Sequence, residues 1–374
     1  MAQGQQTTYV GTVPQKRVIS DYIWMTEPME FPLINALGLN NESKFHFVNA
    51  PGKIYEWLTD TYSGLSTTGN DTDLTNDSTT TTVTVTDGTL FQAGDVLQID
   101  SEYIWVSAVS TNDLTVTRNY GGTQATHASD ATIYLRSRAR LEGAAAGNSH
   151  YTEPTSAYNY SFIMQKSIEI SRSDARIQRY GISDLLEYEK VKKMDELKRD
   201  LTRKPYYGQR KAGTATTPRD AGGFDTFITT NVTACASAAL TLKNIEDAIQ
   251  TAFDYGGNPS LLVCGGWAKR KIASWFEGAV RTERSETMGG VTVDRIQTAM
   301  GPILDVMVDR YCPTNKLYIL DPSLVGYITI DDLFWEDLAK TKDTAAYGQI
   351  VGEYGFVVAD EKKHAIISGF STTA

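Results

Sequence analysis

The chain has 374 residues, 41% hydrophobic and 21% charged, with a formal net charge of −10. That length supports two or three domains, each with its own core. Aromatics at 10%, including 20 Tyr, exclude disorder of the whole chain. The charge is uneven: residues 1–130 hold 5 basic and 15 acidic side chains, residues 131–211 hold 16 and 10, and the rest 14 and 20. A protein that grips phosphate backbones carries a strong basic excess. Here the mildly basic middle reads as a solvated helix face. Cys235, Cys264 and Cys312 form no C-x-x-C pair and no metal spacing, and free thiols fit a reducing cytoplasm. The start, MAQGQQTTYV, lacks a secretion-signal pattern. No run reaches the roughly 18 apolar residues of a membrane span.

Residues 1–43 read as an arm. Val18, Ile19, Ile23, Trp24, Phe31, Leu33 and Ile34 punctuate a polar stretch in which Pro14, Pro28 and Pro32 block long regular elements. Its apolar residues need a surface on the chain's own body or on a neighbour. KFHFVNAPGKIYEWL (44–58) is strand-like, with Pro51-Gly52 as a turn. Residues 66–135 are a different material, with 17 Thr, no Pro, 9 acidic residues and one basic. Turn signals recur between short β-branched runs, so an inserted small β-barrel or sandwich is expected. Tyr158–Ile170 alternates as a strand and could pair with 44–58 into a long two-stranded arm carrying the insert.

Asp184 with Glu187 opens a helix that Pro205 is expected to close. Leu185, Tyr188, Val191, Met194, Leu197 and Leu201 share one face. Glu189–Lys193, Asp195–Arg199 and Asp200–Lys204 are acid-before-base pairs at i,i+4. After a Gly/Thr loop (211–225), Thr241 caps a helix over 242–255. A buried strand (260–264), a helix (267–276) and three short strands within 291–325 follow. A polar segment (331–346) and a final strand pair (348–358 and 364–367) complete the chain. Helices mixed with long hairpins predict an α+β fold.

Chemistry is sparse. His46, His127, His150 and His364 lie in separate regions without metal-pair spacing, and each reads as a surface or loop histidine. Cys264, at a strand end before Gly265-Gly266, could be a nucleophile with His364 as base, against the simpler reading of a buried Cys in a tight turn. The same glycine pair lacks the spacing of a phosphate loop. Asp71-Thr72-Asp73-Leu74-Thr75-Asn76-Asp77 imitates a calcium loop without its sixth-place Gly and twelfth-place Glu. No catalytic, cofactor or metal residue is assigned.

Several segments in order resemble the major capsid proteins of tailed bacteriophages, the Hong Kong 97-type fold family. They are the Pro-containing arm, Glu56-Trp57-x-x-Asp60, the Tyr158–Ser173 strand leading into the long helix, Asp225–Phe276 and the Val291–Val325 strands. FQAGDVLQID and VTRNYGG resemble small β modules of phage structural proteins. The resemblance implies an N-terminal arm (1–43), an extended loop (44–65 and 136–170) and an inserted β domain (66–135). It also implies a peripheral domain (171–224 and 291–374) and an axial domain (225–290). The implied function is a shell of hexamers and pentamers around double-stranded DNA, assembled in the host bacterial cytoplasm. Implied partners are copies of the chain, a separate scaffolding protein, a portal and a decoration protein. Expected inter-subunit contacts are Ile23, Trp24, Phe31, Leu33, Trp57, Tyr158, Tyr160, Arg172 and Arg176. The alternative is an encapsulin-like compartment shell. A cysteine hydrolase or an adhesin would be other classes.

Overall fold

The structure, a computed structural model, describes residues 30–41, 43–47, 52–69, 81–140, 142–143, 151–276, 294–298, 303–339 and 346–373. In chain order the elements begin with α1 (Pro32–Leu37), β1 (Ile54–Thr59), β2 (Ser66–Thr68), β3 (Thr82–Thr84), β4 (Asp95–Ile99), β5 (Glu102–Ser110) and β6 (Asp113–Gly121). Next come β7 (Thr132–Arg138), β8 (Thr155–Tyr160), β9 (Phe162–Ile170), α2 (Leu185–Tyr207), α3 (Phe224–Phe227), β10 (Val232–Ala234) and α4 (Leu242–Asp254). The chain ends with β11 (Leu261–Cys264), α5 (Gly266–Phe276), β12 (Asp294–Gln297), β13 (Ile303–Val308), β14 (Lys316–Leu320), β15 (Val325–Asp337), β16 (Ala346–Val358) and β17 (Ala365–Ser368). Helices and sheets mix without βαβ regularity, the expected α+β class. The chain divides into two compact units: Leu58–Ser156, and the remainder.

In the first unit the strands run β2-β7-β4-β5-β6-β3. The two edge strands meet: Gly69 bridges Val85, and Thr86 N–H donates to the Thr68 carbonyl at 3.0 Å. The sheet is therefore a closed six-stranded barrel, which removes its edges. Strand period places Val83, Val85, Leu97, Ile99, Ile104, Val106, Leu114, Val116, Ile133 and Leu135 inside, while the threonines take outer positions. Gly122 turns at φ +76°, where a Cβ would strike the Ser101 carbonyl.

In the second unit a six-stranded sheet runs β10-β17-β14-β11-β13-β12, drawing strands from both sides of residue 290. Both its faces are buried. Leu262, Cys264, Leu317, Ile319 and Ile367 pack with Ile245 and Ile249 of α4 and Ala268 and Ile272 of α5. Leu261, Val263, Tyr318, Leu320 and Ile366 face Leu197, Leu201 and Tyr206 of α2, with Phe224, Tyr327 and Phe356. Double-sided burial explains the continuous apolar run of β11. A three-stranded sheet, β15-β16-β9, carries α2 across β9 and β16. α1 starts on Pro32 and buries Leu33, Ile34 and Leu37 in the same core.

Six expectations are corrected. Pro205 does not close α2, which runs to Tyr207. A proline there removes the N–H that would serve the Leu201 carbonyl, and Tyr327 Oη donates to that carbonyl instead at 3.5 Å. The apolar stripe of α2 is buried only in its second half, for Val191 is 60% exposed. Lys193 bonds Glu196, three residues on within α2, and Lys204 bonds Asp220, so two of the three expected i,i+4 pairs are replaced, one by a neighbour in the helix and one by a tertiary partner. Residues 331–337 belong to β15 rather than to a polar segment, held there by pairing with β16. β16 and β17 are not a pair: the first joins β15 and β9, the second joins β14 and β10. The expected strand over 158–170 breaks at Ser161, whose hydroxyl donates to Glu353 at 2.6 Å.

Candidate assembly surfaces

β1 and β8 form a two-stranded ladder. Ser161 N–H donates to the Lys53 carbonyl at 3.0 Å, and the Thr59 and Thr155 hydroxyls lie 3.0 Å apart. Two strands cannot bury both faces by themselves. Ile54 and Tyr158 are exposed, and Leu58 and Tyr62, on the strand and just beyond it, are 71% and 101% exposed. Tyr158 and Tyr160 meet edge to face at 5.6 Å. The Arg210 guanidinium lies 4.6 Å from the Tyr158 ring centroid and donates to the Tyr158 carbonyl at 3.2 Å. Trp57 is half-buried, 5.5 Å from the Phe227 ring. Apolar side chains exposed on so thin a support are made to be covered.

Arg172 and Arg176 are exposed on the segment between β9 and α2. Ile177 and Tyr180, both exposed there, were not singled out from sequence, although two large apolar residues in a short polar connection are the signal that points to them. Phe31 is half-buried against the core, and Leu33 is fully buried within its own chain. Ile23 and Trp24 lie outside the described residues. The arm's end is pinned to the body. Asn41 N–H donates to the Tyr327 carbonyl at 2.8 Å, and Lys44 Nζ donates to the Pro322 and Val325 carbonyls. Burial pulls the Lys44 ammonium below its ordinary pKa.

The groups considered for chemistry are committed elsewhere. Cys264 is fully buried, and desolvation pushes its thiol up to about 12, the opposite of a reactive thiolate. His364 is buried rather than at the surface. Its Nδ1 accepts from Asp321 N–H at 3.1 Å, and Nε2 faces the Ala359 carbonyl at 3.2 Å. Desolvation holds it neutral, with a pKa of about 4. His127 is also buried, a second correction. Its Nδ1 lies 2.7 Å from Asp100 and its Nε2 2.9 Å from Glu102. Glu102 further accepts from Arg118 Nε at 3.1 Å and Nη2 at 2.7 Å, and from Asn119 N–H at 3.1 Å and Ala125 N–H at 3.3 Å. Burial alone would raise the Glu102 pKa; the Arg118, His127 and backbone donors overcome it and hold the carboxyl down to about 2. Asp309 accepts from Tyr206 Oη at 2.7 Å inside the second unit, and burial pushes its carboxyl up. These clusters fasten loops to strands. The acidic 71–77 loop and His150 lie outside the described residues, and His46 is exposed.

A family model described as SU10 major capsid protein matches residues 4–371. The chain belongs to that family. It is therefore a capsid protein of the phage virion, and its subunits associate with one another into a shell. Among solved structures, the Cyanophage A-1(L) capsid matches with a TM-score of 0.53 at 11% identity, covering 98% of this chain and 100% of that one. That likeness shows the Hong Kong 97-type fold. The capsid of Myoviridae phage XM1 matches at 0.48 and 10% identity, covering 94% and 96%. The holo-SrpI encapsulin complex from Synechococcus elongatus matches at 0.45 and 9% identity, covering 60% and 78%. No curated protein matches the sequence. Membership of the family decides for a phage capsid over a compartment shell.

Proposed function

We propose that this capsid protein forms the hexamers and pentamers of a tailed-phage head around double-stranded DNA, assembling in the host bacterial cytoplasm. It acts without catalysis. Residues 1–43 serve as the arm, 44–65 and 136–170 as the extended loop, and 66–135 as an inserted domain. Residues 171–224 and 291–374 belong to the peripheral domain and 225–290 to the axial one, with the six-stranded sheet joining the two across residue 290. Trp57, Tyr158, Tyr160, Arg172 and Arg176 contact neighbouring copies together with Phe31, Ile23 and Trp24, and Leu33 anchors the arm. Scaffolding, portal and decoration proteins are further partners.

The observation that carries the reading is the set of exposed apolar side chains along β1 and β8, in a chain whose family builds shells. Many weak contacts repeated by symmetry make a closed shell cooperative. Negative-stain imaging with sedimentation of the purified protein tests it. Closed particles built of hexamers and pentamers are expected. A chain that stays monomeric at high concentration, with or without co-expressed head proteins, overturns it.

A further inference from the structure

The outer face of the barrel carries a second kind of surface. Strand register aligns Ser66, Tyr134, Gln98, Tyr103 and Gly121 in one row across five strands. The next row holds Ser137, Val96, Trp105 and Thr117. Tyr103 and Tyr134 are exposed and Trp105 is half-exposed. The two tyrosines stand two strands apart, about 10 Å. Between them Arg136 Nε donates to Gln98 Oε1 at 2.7 Å, and the guanidinium lies 4.7 Å from the Tyr134 centroid. Gly121 ends the row without a side chain, and the Tyr103 ring rests over it.

We propose that this face binds a neutral polysaccharide chain. A pyranose ring has an apolar face and a rim of hydroxyls, and the platform supplies the complement: flat rings with amide, guanidinium and phenol groups among them. Tyrosine gives large contact area at low entropy cost. Charge selects among occupants. Leu58–Ser156 holds 12 acidic and 4 basic side chains, so nucleic acid, acidic polymers and a second barrel are repelled. Neither row contains a carboxylate, and the cation present is drawn into the layer. The face is also stiff. The buried Glu102, Arg118 and His127 cluster fixes the chain from Asn119 to His127 beside Gly121, and buried ionic groups are better at setting one geometry than at adding stability. A pre-set face loses little freedom on binding.

The test uses the full-length subunit before assembly, so the side the barrel faces in the shell does not enter. Immobilised gluco-, manno-, galacto- and N-acetylhexosamine polysaccharides are the probes. Retention on at least one, released by its soluble hexasaccharide, is expected. Tyr103→Ala and Tyr134→Ala each weaken it about tenfold. Tyr103→Phe keeps most of the binding, and Tyr255→Ala, an exposed tyrosine outside the barrel, leaves it unchanged. Thermal unfolding of each variant separates lost binding from lost folding. Retention on none of these polymers overturns the proposal, as does retention that survives the double alanine variant. Barrel-mediated self-association or preference for a proline-rich peptide over every glycan also overturns it.

Discussion

Replacing Glu102 by Gln removes the charge at the centre of the barrel's buried cluster. The side chain is fully buried, and five hydrogen bonds from Arg118, Asn119, Ala125 and His127 converge on it. The variant leaves Arg118 buried without its counter-charge and turns an amide N–H₂ toward existing donors. Breaking one side of such a pair costs about 3–5 kcal/mol. The pKa gives a second route to the magnitude. The folded carboxyl titrates at about 2, against an ordinary 4.5, which corresponds to about 3 kcal/mol. Because the folded pKa is the lower one, this stabilisation is complete above pH 4.5 and is lost as pH falls from 4.5 toward 2. Urea unfolding of the full-length protein, read by amide hydrogen exchange at Asn119 and Ala125, reports it locally. Glu102→Gln should release both amides at neutral pH, and the acid-dependent loss should vanish in the variant. Glu102→Gln with Arg118→Met should be less damaging than Glu102→Gln alone, since no buried charge then stands unpaired. A single variant within about 1 kcal/mol of the parent, or amide protection factors indifferent to pH between 4.5 and 2, would refute the reasoning.

Four further outcomes are expected. His364 is held neutral down to about pH 4 against an ordinary 6.5, so the second unit loses about 3 kcal/mol as pH falls between those values. A stability profile of His364→Asn should be flatter across that window. Gly348→Ala places a methyl group against the Trp335 ring and should cost about 1–3 kcal/mol, recovered in part by adding Trp335→Ala, with melting temperature as the readout. Tyr206→Phe strips Asp309 of a buried donor and should cost about 1–3 kcal/mol in urea titration. Ser66 and Tyr134 are paired across one ladder, their Cα atoms about 5 Å apart. Excising residues 66–135 with a short linker should therefore leave the body folded while lowering the melting temperature of assembled particles; unchanged particle melting would remove any clamping role for the barrel.

What could be read from the residues was local. Short β-branched runs between recurring turn signals announced a small β module, and Val83, Val85, Leu97, Ile99, Val106 and Val116 on those runs form its core. Thr241 was recognisable as a helix cap, and its Oγ1 accepts from Asn244 N–H at 3.3 Å. Asp184 was recognisable in the same way, accepting from Leu186 N–H at 2.8 Å. These signals span one turn or one strand, where covalent geometry fixes the neighbours. The capsid resemblance rested on the order of such segments.

Burial of His127 and His364 was not legible, because nothing beside them in sequence distinguishes a loop from a core. Strand pairing brings Glu102 and Arg118 together, the connection between β6 and β7 folds back to add His127, and closure around the sheets puts His364 against Asp321 and Ala359. The polar β15 was hidden for the same reason: its ladder is supplied by β16 rather than by its own pattern. Sequence by itself determined most of the strand and helix segments, β15 excepted, and the apolar faces of the barrel strands and of the second half of α2, since these follow from neighbouring side chains. The tertiary structure decided which charges are buried and paired, how far α2 runs past Pro205, and which strands share a sheet. Each of those depends on groups far apart in the chain, whose meeting is set by packing.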